Sequence, residues 1–170
     1  IRAMEMEGRL FQGCLFFGLM ITKDGPKVIE YNCRFGDPET QVVLPLLKSD
    51  LLTIMRATKA GTLDQVDVEF ENKNACCVIV ASDGYPLKYD KGYEITIEED
   101  VKPNVYVAGA ALKDGKLVNA GGRVLGVVGK GDSLKQAIDT AYQMTEKVHF
   151  QNAYYRKDIG KRALQAEGVK

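Results

Sequence analysis

The sequence has no excess charge of either sign and only one histidine, and both facts exclude kinds of site. Lysine plus arginine and aspartate plus glutamate number 23 each, so nothing predicts bulk binding to nucleic acid or to an anionic surface. The single histidine, His149, follows an amphipathic stretch and has no acid or cysteine immediately beside it. We interpret it as a residue at the C-terminal end of a helix rather than as a catalytic base.

Long apolar runs and paired cysteines are also missing. The apolar run 14–21 is too short to span a bilayer, so we expect no membrane partner. The cysteines are Cys14, Cys33, Cys76 and Cys77, and no two of them have the spacing of a zinc site. We therefore expect buried, reduced thiols in a cytoplasmic protein.

What the sequence does contain is one dense cluster of chemical groups, at residues 28–41. Residues 28–32 alternate between apolar and polar side chains, which predicts a β-strand. The alternation places Glu30, Asn32 and Arg34 on one face. The opposite face carries the residues that we expect in the core, namely Ile29, Tyr31 and Cys33.

The groups on the polar face suit a metal ion and a phosphate. A carboxylate and an amide oxygen, as in Glu30 and Asn32, are hard ligands of the kind that Mg²⁺ prefers. The guanidinium of Arg34 is a planar, charged fork that fits phosphate or carboxylate. The turn that follows adds two more acids, Asp37 and Glu39. Spacing alone is also typical of a solvated strand face, and it leaves both interpretations open.

The order of residues adds a family resemblance. The pattern E-x-N-x-R at the end of a strand resembles the metal-binding signature of the ATP-grasp ligases. The longer run 30–41, EYNCRFGDPETQ, resembles the phosphoribosylamine–glycine ligase family within that superfamily. Further segments resemble the same family in the same order, and they are residues 13–20, 48–52, 119–125 and 156–160.

The resemblance implies an enzyme of de novo purine biosynthesis that joins glycine to 5-phosphoribosylamine. ATP is the implied second substrate, and the implied intermediate is an acyl phosphate of glycine. Glu30 and Asn32 would then hold Mg²⁺ or Mn²⁺, and Arg34 would stabilise the transferring phosphoryl group. Asp37 and Glu39 would orient the amine or glycine.

Two features qualify the expected site. Many ATP-grasp enzymes carry another metal-binding acid on the preceding strand, but residues 15–21 contain no carboxylate, so a second metal's ligands stay open. Farther along, the run 120–123, AGGR, predicts a turn or bulge that needs backbone freedom. Phosphate binding by its amides and by Arg123 is the alternative, and we carry Arg123 as a candidate substrate-binding residue.

The predicted fold class is α+β. Residues 1–65 are expected to be the C-terminal portion of an ATP-grasp catalytic domain, with a hairpin whose second strand carries the motif and whose first strand, at 15–21, is covered on both faces. Residues 66–170 are expected to be a small, mostly antiparallel β domain with a packed helix.

The predicted elements are a helix at 51–60, capped by Ser49 or Asp50 and ended by Gly61, strands at 66–70, 75–81, 94–97, 105–112, 116–119 and 123–128, a helix that is capped by Asp132 or Ser133 and runs to about 148, and a final helix at 161–166. A tight hairpin turn is expected at Asp114 and Gly115. The predicted inner stripe of the helix at 51–60 is Leu51, Leu52, Met55 and Thr58, and that of the helix to 148 is Ala137, Ile138, Ala141, Met144, Thr145 and Val148.

The start of the chain suggests that more sequence precedes it. Residue 1 is isoleucine, and residues 1–8 are typical of the last turns of a helix that ends at a glycine. We expect a piece of a longer chain whose N-terminal part is a partner of this piece. An uncovered apolar sheet face would favour self-association of the piece alone.

Two alternatives remain from the sequence. One is another ATP-grasp carboxylate–amine ligase or carboxylase, although such enzymes are expected to differ after Arg34. The other is a different class, a non-catalytic interaction domain rich in β-structure. In that case Glu30, Asn32 and Arg34 would be surface residues without affinity for a metal.

Overall fold

The structure, a computed structural model, describes residues 1–166 and 168 and divides the chain into two compact units. The first contains Ile1–Thr40 and Leu47–Glu71, and the second contains Gln41–Leu46 and the chain from Asn72 onward. The first compact unit ends at Glu71, and this division does not test the family domains predicted at 1–65 and 66–170. Those domains stay a prediction. Residues 167, 169 and 170 of the second predicted domain lie outside the described residues.

A β-hairpin organises the first unit. Strand β1 (Phe16–Thr22) pairs antiparallel with β2 (Gly25–Asn32), and residues 23 and 24 form the turn between them. Gly25 has a φ of +94°, a left-handed conformation that glycine adopts without steric cost. The predicted hairpin is therefore confirmed, and it carries Glu30 near the end of its second strand.

The apolar side chains of this hairpin are exposed, which corrects the prediction of where the core lies. Ile29 is 62% exposed and Tyr31 is 60% exposed, and Cys33 is exposed as well. The prediction that these residues face the core is wrong for this chain. Alternation of apolar and polar residues defines the two faces of a strand, but it does not show which face another part of the protein covers. The strand predicted to be covered on both faces is also open, with exposed Phe17, Leu19, Met20 and Ile21.

Three helices lie in the first part of the chain, namely α1 (Arg2–Met6), α2 (Thr40–Val43) and α3 (Leu51–Ala60). Helix α3 begins at a predicted cap, where the Asp50 carboxylate accepts a hydrogen bond from the Thr53 amide at 2.7 Å. It ends at Gly61, which has a φ of +74°. Hydrogen bonds from Thr53 lower the pKa of Asp50, so the cap stabilises the helix at neutral pH and is lost as the pH falls through the folded-state pKa.

The buried face of α3 differs from the predicted stripe of Leu51, Leu52, Met55 and Thr58. Leu52 is 54% exposed and Met55 is 47% exposed, whereas Ala57 is buried. The covered face of the helix therefore passes through Ala57 and the partly buried Leu51, Ile54 and Thr58. The predicted stripe is right for Leu51 and Thr58 and wrong for Leu52 and Met55.

Residues 66–70 do not form the predicted strand. This segment runs beside residues 47–49, but it makes only an isolated bridge between Phe70 and Leu47. The hydroxyl of Ser49 accepts a hydrogen bond from the Glu69 amide at 2.8 Å, so a side chain takes a place that a partner strand would occupy. Residues 66–70 alternate between apolar and polar side chains as a strand does, but they do not form a continuous set of hydrogen bonds with a partner strand.

Among its described residues the second unit contains eight strands, β3 (Asn74–Ser82), β4 (Thr96–Ile97), β5 (Val105–Val107), β6 (Ala110–Lys113), β7 (Lys116–Asn119), β8 (Arg123–Gly131), β9 (Val148–His149) and β10 (Ala153–Tyr154). The central sheet is antiparallel with the order β10-β3-β8-β5. The other strands form the pairs β4–β9 and β6–β7. Asp114 and Gly115 make the predicted tight turn of β6–β7, with φ values of +51° and +76°.

Helix α4 (Leu134–Thr145) packs on this sheet and is capped by Ser133, whose hydroxyl accepts from the Gln136 amide at 3.2 Å. The predicted inner stripe is largely confirmed, and its fully buried members are Ala137, Ile138, Ala141 and Thr145. The helix ends three residues before the predicted position, because β9 begins at Val148 and pairs with β4. His149 is thus an exposed strand residue, which corrects its assignment to a helix end.

The core of the second unit consists of two clusters of buried side chains. One cluster joins α4 to the sheet and consists of Cys76, Val78, Ala137, Ile138 and Ala141. The other consists of Val80, Ile95, Val101, Val124, Leu125, Val127, Val148 and Phe150. A last helix, α5 (Lys161–Ala166), has the predicted bounds. A mostly antiparallel sheet with a packed helix confirms the predicted α+β class.

The cysteines share no single environment. Cys76 is buried, and burial raises the pKa of its thiol to about 11. Cys14 and Cys77 are partly buried, and Cys33 is exposed. The prediction of four buried thiols is therefore wrong for Cys33, which follows the open hairpin rather than a packed strand.

Candidate functional site

The structure brings two of the predicted metal ligands together at the end of β2. Asn32 Nδ2 donates a hydrogen bond to Glu30 Oε1 at 3.0 Å. Both side chains lie on one face of the strand, as residues two apart must. Across the hairpin, Gly18 stands opposite Glu30, and Phe16 stands opposite Asn32. The local structure therefore follows from strand geometry, and it pairs the carboxylate with the amide.

This pair has the chemistry of a hard-cation site. The Asn32 side chain also carries an amide oxygen, a hard ligand atom of the same kind as the carboxylate oxygens of Glu30. Within residues 1–166 and 168, no three His, Cys, Asp or Glu side chains cluster as a metal site would require. Mg²⁺ usually binds one or two carboxylates and takes its other ligands from water and phosphate oxygens. The pair therefore fits Mg²⁺ or Mn²⁺ bound in this way.

Arg34 follows the strand and turns toward its own loop. Its Nη1 donates to the Phe35 carbonyl at 2.9 Å, and the side chain is exposed. This hydrogen bond uses one of the five donors of the guanidinium. The remaining donors are enough to grip a phosphoryl group in the bidentate manner that arginine favours.

The acidic turn after Arg34 is wound tightly around Gly36. A Cβ on Gly36 would lie 3.0 Å from the Cβ of Glu39, so the Glu39 side chain covers that glycine. The Thr40 amide donates to the Gly36 carbonyl at 3.2 Å, and the Thr40 hydroxyl donates to the same oxygen. Gly36 is buried while Asp37 and Glu39 are exposed, so the turn presents two carboxylates from a fixed backbone.

Arg123 belongs to the second unit, where it opens β8 and is partly buried. The amides of Ala120 and Gly121 both donate to the Gly109 carbonyl at 2.8 Å. A Cβ on Gly121 would lie 2.9 Å from Gly109 Cα, so the glycine permits close backbone approach. These two amides serve the fold, and a substrate-binding role for Arg123 stays a prediction.

Sequence reasoning did not single out two further residues, one in each unit. One is Gly18, whose only signal was a glycine inside a strand of bulky residues. The other is Asn119, which is 1% exposed. Its Nδ2 donates to Ser82 Oγ and to the Asp90 carbonyl, both at 2.9 Å, while its Oδ1 accepts from the Tyr93 amide at 2.8 Å. Asn119 therefore anchors the loop 83–93.

Two family models match this chain. The model "Phosphoribosylglycinamide synthetase, C domain" matches residues 75–162, which is just over half of the 170 residues. The chain belongs to this family. The model "Phosphoribosylglycinamide synthetase, ATP-grasp (A) domain" matches residues 1–40, the range that holds the Glu30–Asn32 pair and the acidic turn.

Similar proteins include a phosphoribosylamine–glycine ligase and a trifunctional purine biosynthetic protein. The chain is 54% identical over 160 residues to "Phosphoribosylamine--glycine ligase" of Caldanaerobacter subterraneus subsp. tengcongensis, covering 94% of this chain and 38% of that protein. It is 46% identical over 168 residues to "Trifunctional purine biosynthetic protein adenosine-3" of Homo sapiens, covering 96% of this chain and 17% of that protein.

A solved structure agrees with this synthetase assignment. The crystal structure of phosphoribosylamine–glycine ligase from Thermotoga maritima matches with a TM-score of 0.82 and 40% identity, covering 93% of this chain and 39% of that one. The chain thus spans well under half the length of these relatives. Over residues 1–166 and 168, no helix is both long enough and apolar enough to cross a membrane.

Proposed function

We propose that this chain is the C-terminal part of an ATP-dependent ligase that joins glycine to 5-phosphoribosylamine in de novo purine biosynthesis. The observation that carries the proposal is the contact between Asn32 Nδ2 and Glu30 Oε1 at 3.0 Å. It pairs a carboxylate with an amide within the segment that matches the family's ATP-grasp model. The named relatives favour this ligase over other ATP-grasp enzymes and over a non-catalytic domain.

The reaction proceeds through an acyl phosphate of glycine. The glycine carboxylate attacks the γ-phosphorus of ATP and ADP leaves; the amine then attacks the carbonyl carbon and phosphate leaves. Glu30 and Asn32 would hold Mg²⁺ or Mn²⁺, and the ion would supply positive charge to offset the negative charge of the ATP phosphates. Arg34 binds the phosphoryl oxygens with its outer donors and stabilises their charge during transfer.

The remaining candidates would act on the other substrates. Asp37 and Glu39 are exposed acids of the turn around Gly36, and the negative charge of their carboxylates is suited to an amine. Arg123 is a guanidinium suited to the phosphate of phosphoribosylamine. We place the enzyme in the cytoplasm, with the N-terminal part of the same chain as the partner of this piece and with no nucleic acid or membrane partner.

The substrate requirement tests this proposal. ADP release by the full-length protein that carries this chain would be measured with ATP and Mg²⁺, omitting glycine or phosphoribosylamine in turn. We expect full turnover only with both present. Equal ADP release without glycine, or with a different carboxylate in its place, would point to another ATP-grasp reaction.

Replacing Arg34 with lysine tests its role in phosphoryl transfer. Lysine keeps the positive charge but loses the planar fork, so kcat should fall on the order of 10²-fold while the KM for ATP changes little. Steady-state kinetics of the full-length protein measure both constants. Arg9→Lys is the matched control, since Arg9 is exposed in the same unit. A change confined to KM would assign Arg34 to ground-state binding of ATP.

The open hairpin predicts association of the 170-residue chain by itself. Ile21 is 77% exposed and Ile29 is 62% exposed, and an exposed apolar sheet face favours pairing with another copy. Sedimentation velocity should show concentration-dependent association that the double substitution Ile21→Thr and Ile29→Thr weakens. The control is Leu87→Thr, at a residue 87% exposed in the second unit. Equal weakening by the control, or a monomer at all concentrations, would contradict the prediction.

A further inference from the structure

Gly18 is the small residue in a strand of large ones, and its backbone does not explain why. Strand β1 reads FFGLMIT, and Gly18 lies in its interior. Each glycine with a positive φ among the described residues lies at another position, so the Gly18 backbone is one that any residue adopts. The strand pairing shifts register between Gly18 and Leu19, but Gly18 does not take a left-handed conformation there.

The neighbouring side chain does explain the glycine. Gly18 is the cross-strand partner of Glu30, and side chains of directly opposite residues lie on the same face. A Cβ at position 18 would lie 2.9 Å from Glu30 Cγ, closer than real Cβ atoms approach a neighbour. The nearest backbone atom, Glu30 N, would be at an ordinary 3.7 Å. The side chain of Glu30 therefore occupies the space that Gly18 leaves open.

We propose that Gly18 is a positioning residue for the metal site: by lacking a Cβ, it lets the Glu30 carboxylate lie against Asn32. A methyl group at position 18 would displace Glu30 Cγ. Rotation about χ1 of Glu30 is the movement that keeps the backbones of Gly18 and Glu30 paired. That rotation swings Oε1 away from Asn32 Nδ2 and separates the two ligand groups. This inference rests on the proposed function, in which Glu30 and Asn32 hold the metal.

Gly18→Ala should weaken metal binding without lowering the stability of the protein. Glycine within a strand is unfavourable because it loses more conformational freedom on folding than alanine does. Alanine at this partly buried strand position, which has an ordinary φ, should therefore leave the melting temperature unchanged or raise it. A role for Gly18 in folding alone would lower the melting temperature, so the two readouts separate positioning from structure.

The test measures binding of Mn²⁺–ATP to the full-length protein, without glycine or phosphoribosylamine. Water-proton relaxation enhancement on titration with protein gives the dissociation constant of the ternary complex, and thermal unfolding of the same samples gives the melting temperature. For Gly18→Ala we expect that constant to rise about 10- to 100-fold, as for losses of groups that orient metal ligands. Met20→Ala is the matched control, since Met20 is exposed on the same strand.

The variant Glu30→Gln separates failure of this inference from failure of the proposed function. Weaker binding in both Gly18→Ala and Glu30→Gln, with wild-type binding in Met20→Ala, supports the positioning role. Weaker binding in Glu30→Gln alone overturns the inference about Gly18 and leaves the metal site in place. Wild-type binding in Glu30→Gln overturns the proposed metal site itself. A lowered melting temperature in Gly18→Ala also overturns the inference, because the glycine would then serve folding.

Discussion

Replacement of Glu30 by glutamine is expected to lower glycine-dependent turnover on the order of 10²- to 10³-fold, the cost of removing one preorganised electrostatic contact. Glutamine keeps the shape of the side chain and an oxygen that accepts from Asn32 Nδ2, so the local fold is preserved. It removes the negative charge that attracts the divalent cation. The rate should therefore recover in part at high Mg²⁺, since the site is weakened rather than blocked.

The measurement is steady-state ADP release by the full-length protein as a function of Mg²⁺ concentration. Glu7→Gln provides the control, because it removes the same charge from an exposed residue just after α1. Its turnover and Mg²⁺ dependence should match the wild type. If Glu30→Gln behaved like this control, Glu30 would not be a metal ligand.

Gly129→Ala is expected to lower the stability of the second unit by about 3 kcal/mol, the upper end of the usual cost of overpacking. Gly129 lies in β8 opposite Cys76, at the point where α4 crosses the strand. A Cβ there would lie 2.9 Å from Ala141 Cα and closer still to Ala141 N and Ala137 O. These are backbone atoms of α4, so no side-chain rotation can relieve the overlap, and the helix must move off the sheet.

Gly126→Ala, three residues earlier in the same strand, is the matched control. Its added Cβ would meet side chains only, with Cys77 Sγ at 3.2 Å and Ile79 Cδ1 at 3.5 Å. Those side chains can shift, and alanine loses less conformational entropy on folding than glycine does. We therefore expect the free energy of unfolding to change by no more than about 1 kcal/mol. Urea unfolding of the chain followed by circular dichroism measures both variants. Equal stability of the two would mean that α4 does not need close contact with β8.

The sequence predicted elements best where local chemistry decides the structure. The bounds 51–60 follow from an aspartate cap and a terminal glycine, and the turn at Asp114 follows from residues that tolerate a positive φ. The contact between the candidate ligands Glu30 and Asn32 follows from strand alternation, which is also local. Each of these needed no knowledge of distant partners.

The failures have the opposite cause, because each depends on a partner far away in sequence. Helix α4 stops at Thr145 because β9 pairs with β4, about fifty residues earlier. Residues 66–70 satisfy part of their backbone with Ser49 instead of a strand. Ile29 lies open although its alternation is typical of a half-buried strand. Gly18 escaped notice because its role is defined by a side chain on the other strand.

The most direct test of the proposed ligase follows the oxygen atoms of glycine. The full-length protein would be supplied with glycine labelled with ¹⁸O in its carboxylate, together with ATP, Mg²⁺ and phosphoribosylamine, and the phosphate released would be analysed by ³¹P NMR. If the carboxylate attacks the γ-phosphorus and phosphate later leaves the acyl carbon, each phosphate must carry one labelled oxygen. Phosphate without label, released at the full rate of turnover, would contradict the acyl-phosphate reaction and the role assigned here to Glu30, Asn32 and Arg34.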